Sequence, residues 1–394
     1  MFRSNMFNRA SLVVAGAACL TWIGCAGALK DSGAGGADGG SASGGTHGGT
    51  GGNKGTGGGI VIINNIGGTT GSGGKTGGGG STGTGGSTSG SGGATGSGGT
   101  TGLGGLTGSG GVTGTCPLFT ADDAWNTDVS AKAVDATNTA KVNALLGAVN
   151  IHPDFGSDFG IPFNTVPSTQ AGLPITFNAY PDESDPGPYP FPPPATAIIE
   201  GGNPTACDGD CHMIAVQLGT CQLYEGYGCN YASGWTCANG AHWDLTKKSQ
   251  GQRPDGWTSA DAGGLPIYAG LARYSEYMAG QINHAIRFTL PCTSDTMVAP
   301  ATHEAVPGGG CSTNPNAVPM GLRIRLKASF DISSFTPTAQ LFLKAFKRYG
   351  LILADNGGKS STLYFQSEQN PAWNDAEIND LKRVPVSAFE AVVP

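Results

Sequence analysis

His212 and Glu225 lie in a stretch, His212 to Tyr227, whose spacing can bring an acid and a proton carrier onto one surface. Gly219-Thr220 suits a two-residue hairpin turn. The register that follows pairs Leu218 with Cys221, Val216 with Leu223, Ile214 with Glu225 and His212 with Tyr227, all eight on one face. Among Ile, Val and Leu the Glu225 carboxyl would lose solvation, hold its proton more tightly and stand ready as an acid. A one-residue slip would take Glu225 off His212's face. A solvated or salt-bridged glutamate at a strand end is the plainer alternative.

A second group offers different chemistry. Asp244, Asp255 and Asp261 lie close to Trp243 and Trp257. Flat rings stack on pyranose faces while carboxylates take hydroxyls or protonate a glycosidic oxygen. Asp261 is the first choice among the three, with Glu276 a weaker partner, although Asp-Gly and Ser-x-Asp also serve turns and caps. His284 alternates with Ile282, Ile286 and Phe288 and so reads as an inward core histidine. His303 sits in a loop with nothing to orient it. Arg323, Arg325 and Lys327 make a basic stripe on one strand face. Salt bridges explain the stripe most simply, and a groove for acidic polysaccharide is the alternative. The candidate catalytic set is therefore Glu225, Asp261 and His212; the candidate substrate-binding set is Trp243, Trp257, Asp244, Arg323 and Arg325. No Gly-x-Ser-x-Gly elbow, His-Glu-x-x-His or phosphate-cradling glycine loop occurs. No cofactor is expected. Cys207-x3-Cys211-His212 lacks a second ligand pair, so no metal is expected either.

The elements that must hold these residues read as mainly β. Strand-like runs cover 195–200, 213–218, 222–227, 282–290 and 322–330, and a buried strand covers 351–354. Helical spacing marks 138–149, 338–349 ending at Gly350, and 375–382. The proline-dense reach 181–194 can be neither helix nor central strand. Short strands, long Pro/Gly loops and few helices predict a disulfide-bonded β-sandwich of jelly-roll type. Without a repeated strand-helix unit, a doubly wound parallel sheet is not expected.

Composition divides the 394-residue chain. Residues 33–115 hold 40 of its 69 glycines and only three charged side chains, Asp38, Lys54 and Lys75. Such a stretch has no side chains with which to build a core and acts as a flexible tether. Ile60–Ile66 is a β-prone interruption to which no role is assigned. Before it, Arg3 and Arg9 precede a short apolar run ending in Gly24-Cys25, a lipoprotein-type export signal over residues 1–25 with Cys25 as lipid carrier. Ordinary cleavage after Ala28, giving a secreted protein, is the alternative. The expected layout is thus signal 1–25, tether 26–115 and one globular domain 116–394, anchored to the outer or cytoplasmic membrane by its lipid. That domain carries 16 basic and 26 acidic residues, which argues against nucleic acid as a partner. Its eight cysteines, an even number in an exported chain, predict disulfides. Cys229–Cys237 and Cys292–Cys311 are the expected local pairs among many possible connectivities.

Four stretches also carry a resemblance. They are Arg253–Ala262 with Leu265-Pro266-Ile267, Gln281–Thr289, Gly321–Ile332 and Tyr349–Gly357. Together they resemble a family of exported actinobacterial and myxobacterial proteins across nearly all of 116–394. The resemblance implies no particular activity and no catalytic residues. The functional expectation rests on the residues themselves: a monomeric carbohydrate-active protein at the cell surface, cleaving polysaccharide as hydrolase or lyase. A non-catalytic module binding an extracellular glycan is the alternative.

Overall fold

A computed structural model describes residues 115–304, 311, 313–357 and 362–394. The segment read as an export signal, Cys25 and the glycine tract to residue 114, with its Ile60–Ile66 run, lie outside the described residues.

Among the described residues the strands form four sheets. The largest contains β1 (His152–Asp154), β9 (Ile286–Leu290), β12 (Arg323–Leu326), β13 (Leu351–Asn356), β14 (Tyr364–Gln366) and β15 (Phe389–Ala391), in the order β1-β14-β9-β13-β12-β15. A four-stranded sheet, β2-β4-β5-β8, joins β2 (Asn164–Val166), β4 (Met213–Gln217), β5 (Gln222–Tyr227) and β8 (Asn239–Asp244). Smaller sheets pair β3 (Ile175–Phe177), β7 (Trp235–Cys237) and β6 (Asn230–Tyr231), and β10 (Thr293–Met297) with β11 (Val318–Met320). The mainly β character is as expected. Every sheet contains a parallel pair, however, which a jelly roll of antiparallel strands would not have.

The β4–β5 hairpin has the expected register, Ile214 opposite Glu225 and Val216 opposite Leu223. Its two faces enter different cores. Ile214, Val216, Leu218, Cys221 and Leu223 join the main core shared with the six-stranded sheet, whereas Met213 and Ala215 join a smaller one with Tyr189, Phe191 and Trp235. Burial on both faces explains the unbroken apolar run from Met213 to Val216.

Helices fill the margins. α4 (Pro337–Arg348) starts with Thr336 accepting from the Ala339 amide and Pro337 in its first turn, and it buries Ala339, Phe342, Leu343 and Phe346. α1 (Ala136–Leu146) begins two residues earlier than its pattern suggests, because Asp135 caps it, and ends at Gly147. α5 (Asp375–Asn379) is shorter than expected and passes into a 3-10 turn at Asp380–Arg383. The strand expected over 195–200 does not form. Pro192–Pro194 offer no amide donors, Thr196 and Ala197 turn back onto the Pro193 carbonyl, and a bridge from Ile199 to Gly202 remains.

Four disulfides close the domain: Cys116–Cys221, Cys207–Cys211, Cys229–Cys237 and Cys292–Cys311. Both expected local pairs are present, and the cysteines weighed as zinc ligands are bonded to each other. Four such bonds fit an oxidising environment outside the cytoplasm. Among the described residues no helix is long and apolar enough to cross a membrane.

Candidate functional site

The segment from Arg253 to Gly270 wedges between the hairpin and the six-stranded sheet and brings the charged groups together. Its last turn, α2 (Ile267–Gly270), lies on β9 so closely that a Cβ on Gly270 would come within 2.6 Å of Arg287 Cβ. Gly263 lies against β13, donating its amide to the Ala354 carbonyl at 2.8 Å. Both approaches require glycine.

Glu225 is fully buried and accepts the Ile267 and Tyr268 amides at 2.9 and 2.8 Å, capping α2 from the neighbouring sheet. Burial pushes its carboxyl up to about 7 despite those two donors, and nearby Asp261 adds to the effect. Asp261, also without exposure, binds Arg287 through both oxygens, one at 3.1 Å from Nε. His212 directs Nδ1 to the Glu200 carboxylate and Nε2 to the Ala260 carbonyl at 3.1 Å. Facing acceptors on both sides, the ring carries both protons. Burial disfavours that cation, but the Glu200 charge prevails and lifts His212 to about 9; Glu200 in turn is held below its ordinary range against its own burial. The three residues nominated as catalytic thus converge on Ala260–Tyr268, with Glu225 and Asp261 out of reach of solvent.

Further groups complete the cluster. In β9 every residue is buried, so Arg287 lies at 1% exposure in the sheet centre. The β9–β13 register shifts between Leu353 and Asp355, placing Asp355 opposite Thr289. That irregularity turns Asp355 onto the same face as Arg287, as bulges beside sites often do. Burial, with Asp261 adding, raises the Asp355 carboxyl. Asp154 of β1 is raised by burial too, while Gln366 beside it, at 3.4 Å, works the other way. Asp154, Glu200 and Asp355 are half-buried and Asp210 is exposed. None of Asp154, Glu200, Asp355 or Arg287 was singled out from sequence; the available signal was a lone arginine and a lone aspartate inside apolar strand runs. Among the described residues no group of three has the arrangement to hold a metal ion.

No family model, curated protein or solved structure matches this chain.

The nominated binding residues are otherwise occupied. Trp243 is 2% exposed, and Arg253 lies over both it and half-buried Trp257, 5.4 and 5.5 Å from the ring centres, so Trp243 offers no open face to a sugar. Asp244 accepts from Thr246 in a turn and pairs with Lys247. Arg323 binds the Tyr349, Ala124 and Thr127 carbonyls; Arg325 binds Glu390 and the carbonyls of Val129, Ser130 and Lys132. They border surface clefts of about 330 and 310 Å³, with their guanidinium groups already spent on the segment 124–132. His284 and Arg273 both pair with Glu276, whose carboxyl burial would raise but these neighbours hold at about 2. His303 is oriented after all, with Nδ1 2.7 Å from the Ala262 carbonyl.

These shifts set a pH profile for stability. An acid that binds its proton more tightly when folded favours the fold while protonated. The contribution of Glu225 is therefore complete below its ordinary 4.5 and lost as the pH rises through about 7. His212 acts in the same sense, complete below 6.5 and lost through about 9. Glu276 opposes them: its contribution is present above 4.5 and lost as the pH falls through about 2. Urea unfolding at stepped pH should show greatest stability between about pH 4 and 6 and a decline toward pH 9. A profile rising from pH 5 to 9 would contradict it.

Proposed function

We propose that the chain is an exported carbohydrate-active enzyme that cleaves polysaccharide as a hydrolase or lyase, its acid–base pair drawn from Asp355, Asp154 and Glu200. One observation carries the reading. Within a single cluster burial makes Asp154 and Asp355 hold their protons, while the His212 cation keeps Glu200 ionised. Carboxyls with proton affinities pushed apart supply a general acid and a general base at one pH. Asp355 or Asp154 protonates the leaving oxygen as its bond to the sugar breaks, and Glu200 takes a proton either from the water that attacks the sugar carbon (hydrolase) or from the carbon next to a uronate carboxyl, leaving a double bond (lyase). His212 orients Glu200, Arg287 and Asp261 fix the floor, and Glu225 ties α2 to the hairpin. In this reading the two larger sheets, which share the main core, act as the leaves of a sandwich-like body. The domain works as a monomer on extracellular glycan, held by lipid on Cys25 or released.

The test is a polysaccharide panel assayed for new reducing ends and for unsaturated products. Wild type should turn over at least one polymer. Glu200→Gln and Asp355→Asn should each lower kcat at least about 100-fold while keeping the near-ultraviolet circular dichroism of the fold. Binding without turnover, unchanged in both variants, would replace the enzyme with a glycan-binding module.

A further inference from the structure

Trp257 and His303 each keep one accessible polar atom without a partner, and they lie on two segments that touch. Residues 301–304 run against residues 253–257: the Gly256 amide donates to the Thr302 carbonyl at 2.6 Å, and Thr302 Oγ1 donates to the Trp257 carbonyl at 3.0 Å.

Both side chains are held from behind. The Arg253 side chain is 1% exposed, ion-paired with Asp185 and donates to the Glu183 and Thr258 carbonyls at 2.8 and 2.6 Å. Packed against Trp243 and Trp257 together, it fixes the Trp257 indole through a cation–π contact and closes one of its faces. Trp257 is half-buried, whereas Trp125, Trp235, Trp243 and Trp373 are buried. Its exposure therefore belongs to the other face and the edge, and among the described residues its Nε1 donates to nothing. His303 Nδ1 faces the Ala262 carbonyl, which can only accept, so that nitrogen carries the proton and Nε2 of the neutral ring is an acceptor. His303 is half-buried too, and its Nε2 has no partner among the described residues.

An aromatic face with a donor on its edge and an acceptor on the adjoining segment is a set that holds a sugar ring. The C–H face of the sugar lies on the indole, one hydroxyl accepts from Nε1 and another donates to Nε2. The other charged side chains of these two segments are Asp255, exposed, and Glu304, half-buried. Both are acids, so a uronate or sulfate would meet repulsion and find no cation.

We propose that Trp257 and His303 form a binding subsite for an uncharged sugar ring. The proposal rests on the reading of the ligand as a glycan. Three consecutive residues place the subsite beside the acid cluster, since Ala260 holds His212, Asp261 holds Arg287 and Ala262 holds His303.

Calorimetric titration of the full chain with neutral hexasaccharides of glucose, xylose and mannose, and with a galacturonate hexamer, tests it. At least one neutral hexamer should bind at least about tenfold tighter than the uronate. Trp257→Ala should weaken that binding about tenfold and His303→Ala about threefold to tenfold, the scale of a lost stacking contact and a lost hydrogen bond. His303→Gln, which keeps an acceptor, should recover most of the affinity. Because Trp257 also packs on Arg253, the wild type supplies a measure that needs no variant. N-bromosuccinimide should oxidise Trp257 ahead of the four buried tryptophans by mass mapping, and the neutral hexamer should protect it. Unchanged affinity in both alanine variants, preference for the uronate, or no protection at saturating hexamer would overturn the proposal, and turnover of any polymer in that case would leave the enzyme reading standing. Binding that depends on Trp257 and His303 without turnover would uphold the subsite and remove the enzyme. Neither binding nor turnover of any glycan would remove both.

Discussion

Arg287→Met should cost about 3–5 kcal/mol in urea unfolding, the usual loss when one partner of a buried ion pair is removed. The guanidinium sits in the central strand pair of the six-stranded sheet, with Asp261 at zero exposure on it and Asp355 on the same face. Without the arginine, Asp261 must stay charged in an apolar interior or take up a proton, and Asp355 loses the cation that counters its burial. The methionine itself fits the space and gives little strain. The companion variant separates charge from packing. Arg287→Met combined with Asp261→Leu should recover most of the loss, because no uncompensated charge remains. A single substitution costing less than about 1 kcal/mol, the scale of an exposed pair, would show that water reaches the Asp261 carboxyl.

Replacing Cys116 and Cys221 with serine should cost about 5 kcal/mol, against about 2 kcal/mol for the Cys207–Cys211 pair. The first bond spans 105 residues and the second 4, and closing the longer loop removes more freedom from the unfolded chain. The long bond also fixes the start of the domain to the end of the hairpin turn that leads into β5. Denaturant unfolding of the two double variants under non-reducing conditions gives the comparison directly. Equal losses would mean that the 116–221 loop is already constrained in the unfolded state.

Where a residue's surroundings come from its near neighbours in sequence, the sequence was readable. The β4–β5 register follows from a short turn and period-two alternation, so Ile214 opposite Glu225 and the raised Glu225 carboxyl could be expected. The α4 stripe follows from 3.6-residue spacing, and Cys229–Cys237 and Cys292–Cys311 close short loops. Trp243 misled because an aromatic beside aspartates looks the same whether it faces solvent or lies under an arginine. Arg323 and Arg325 lie on the polar face that alternation predicts, Arg325 in the salt bridge expected of the stripe, with Glu390, while the segment 124–132 folds over that face and takes further hydrogen bonds from both.

By itself the sequence determined a mainly β fold closed by disulfides and a buried acid on one face of a hairpin. Only the tertiary structure decided which acid meets which cation. Glu200 reaches His212 from an irregular loop, Asp261 reaches Arg287 across 26 positions, and a one-residue shift in the β13 ladder turns Asp355 toward both. Charge pairing depends on distance in space, and a chain that returns to the same point from five separate segments leaves no local pattern by which that distance can be read.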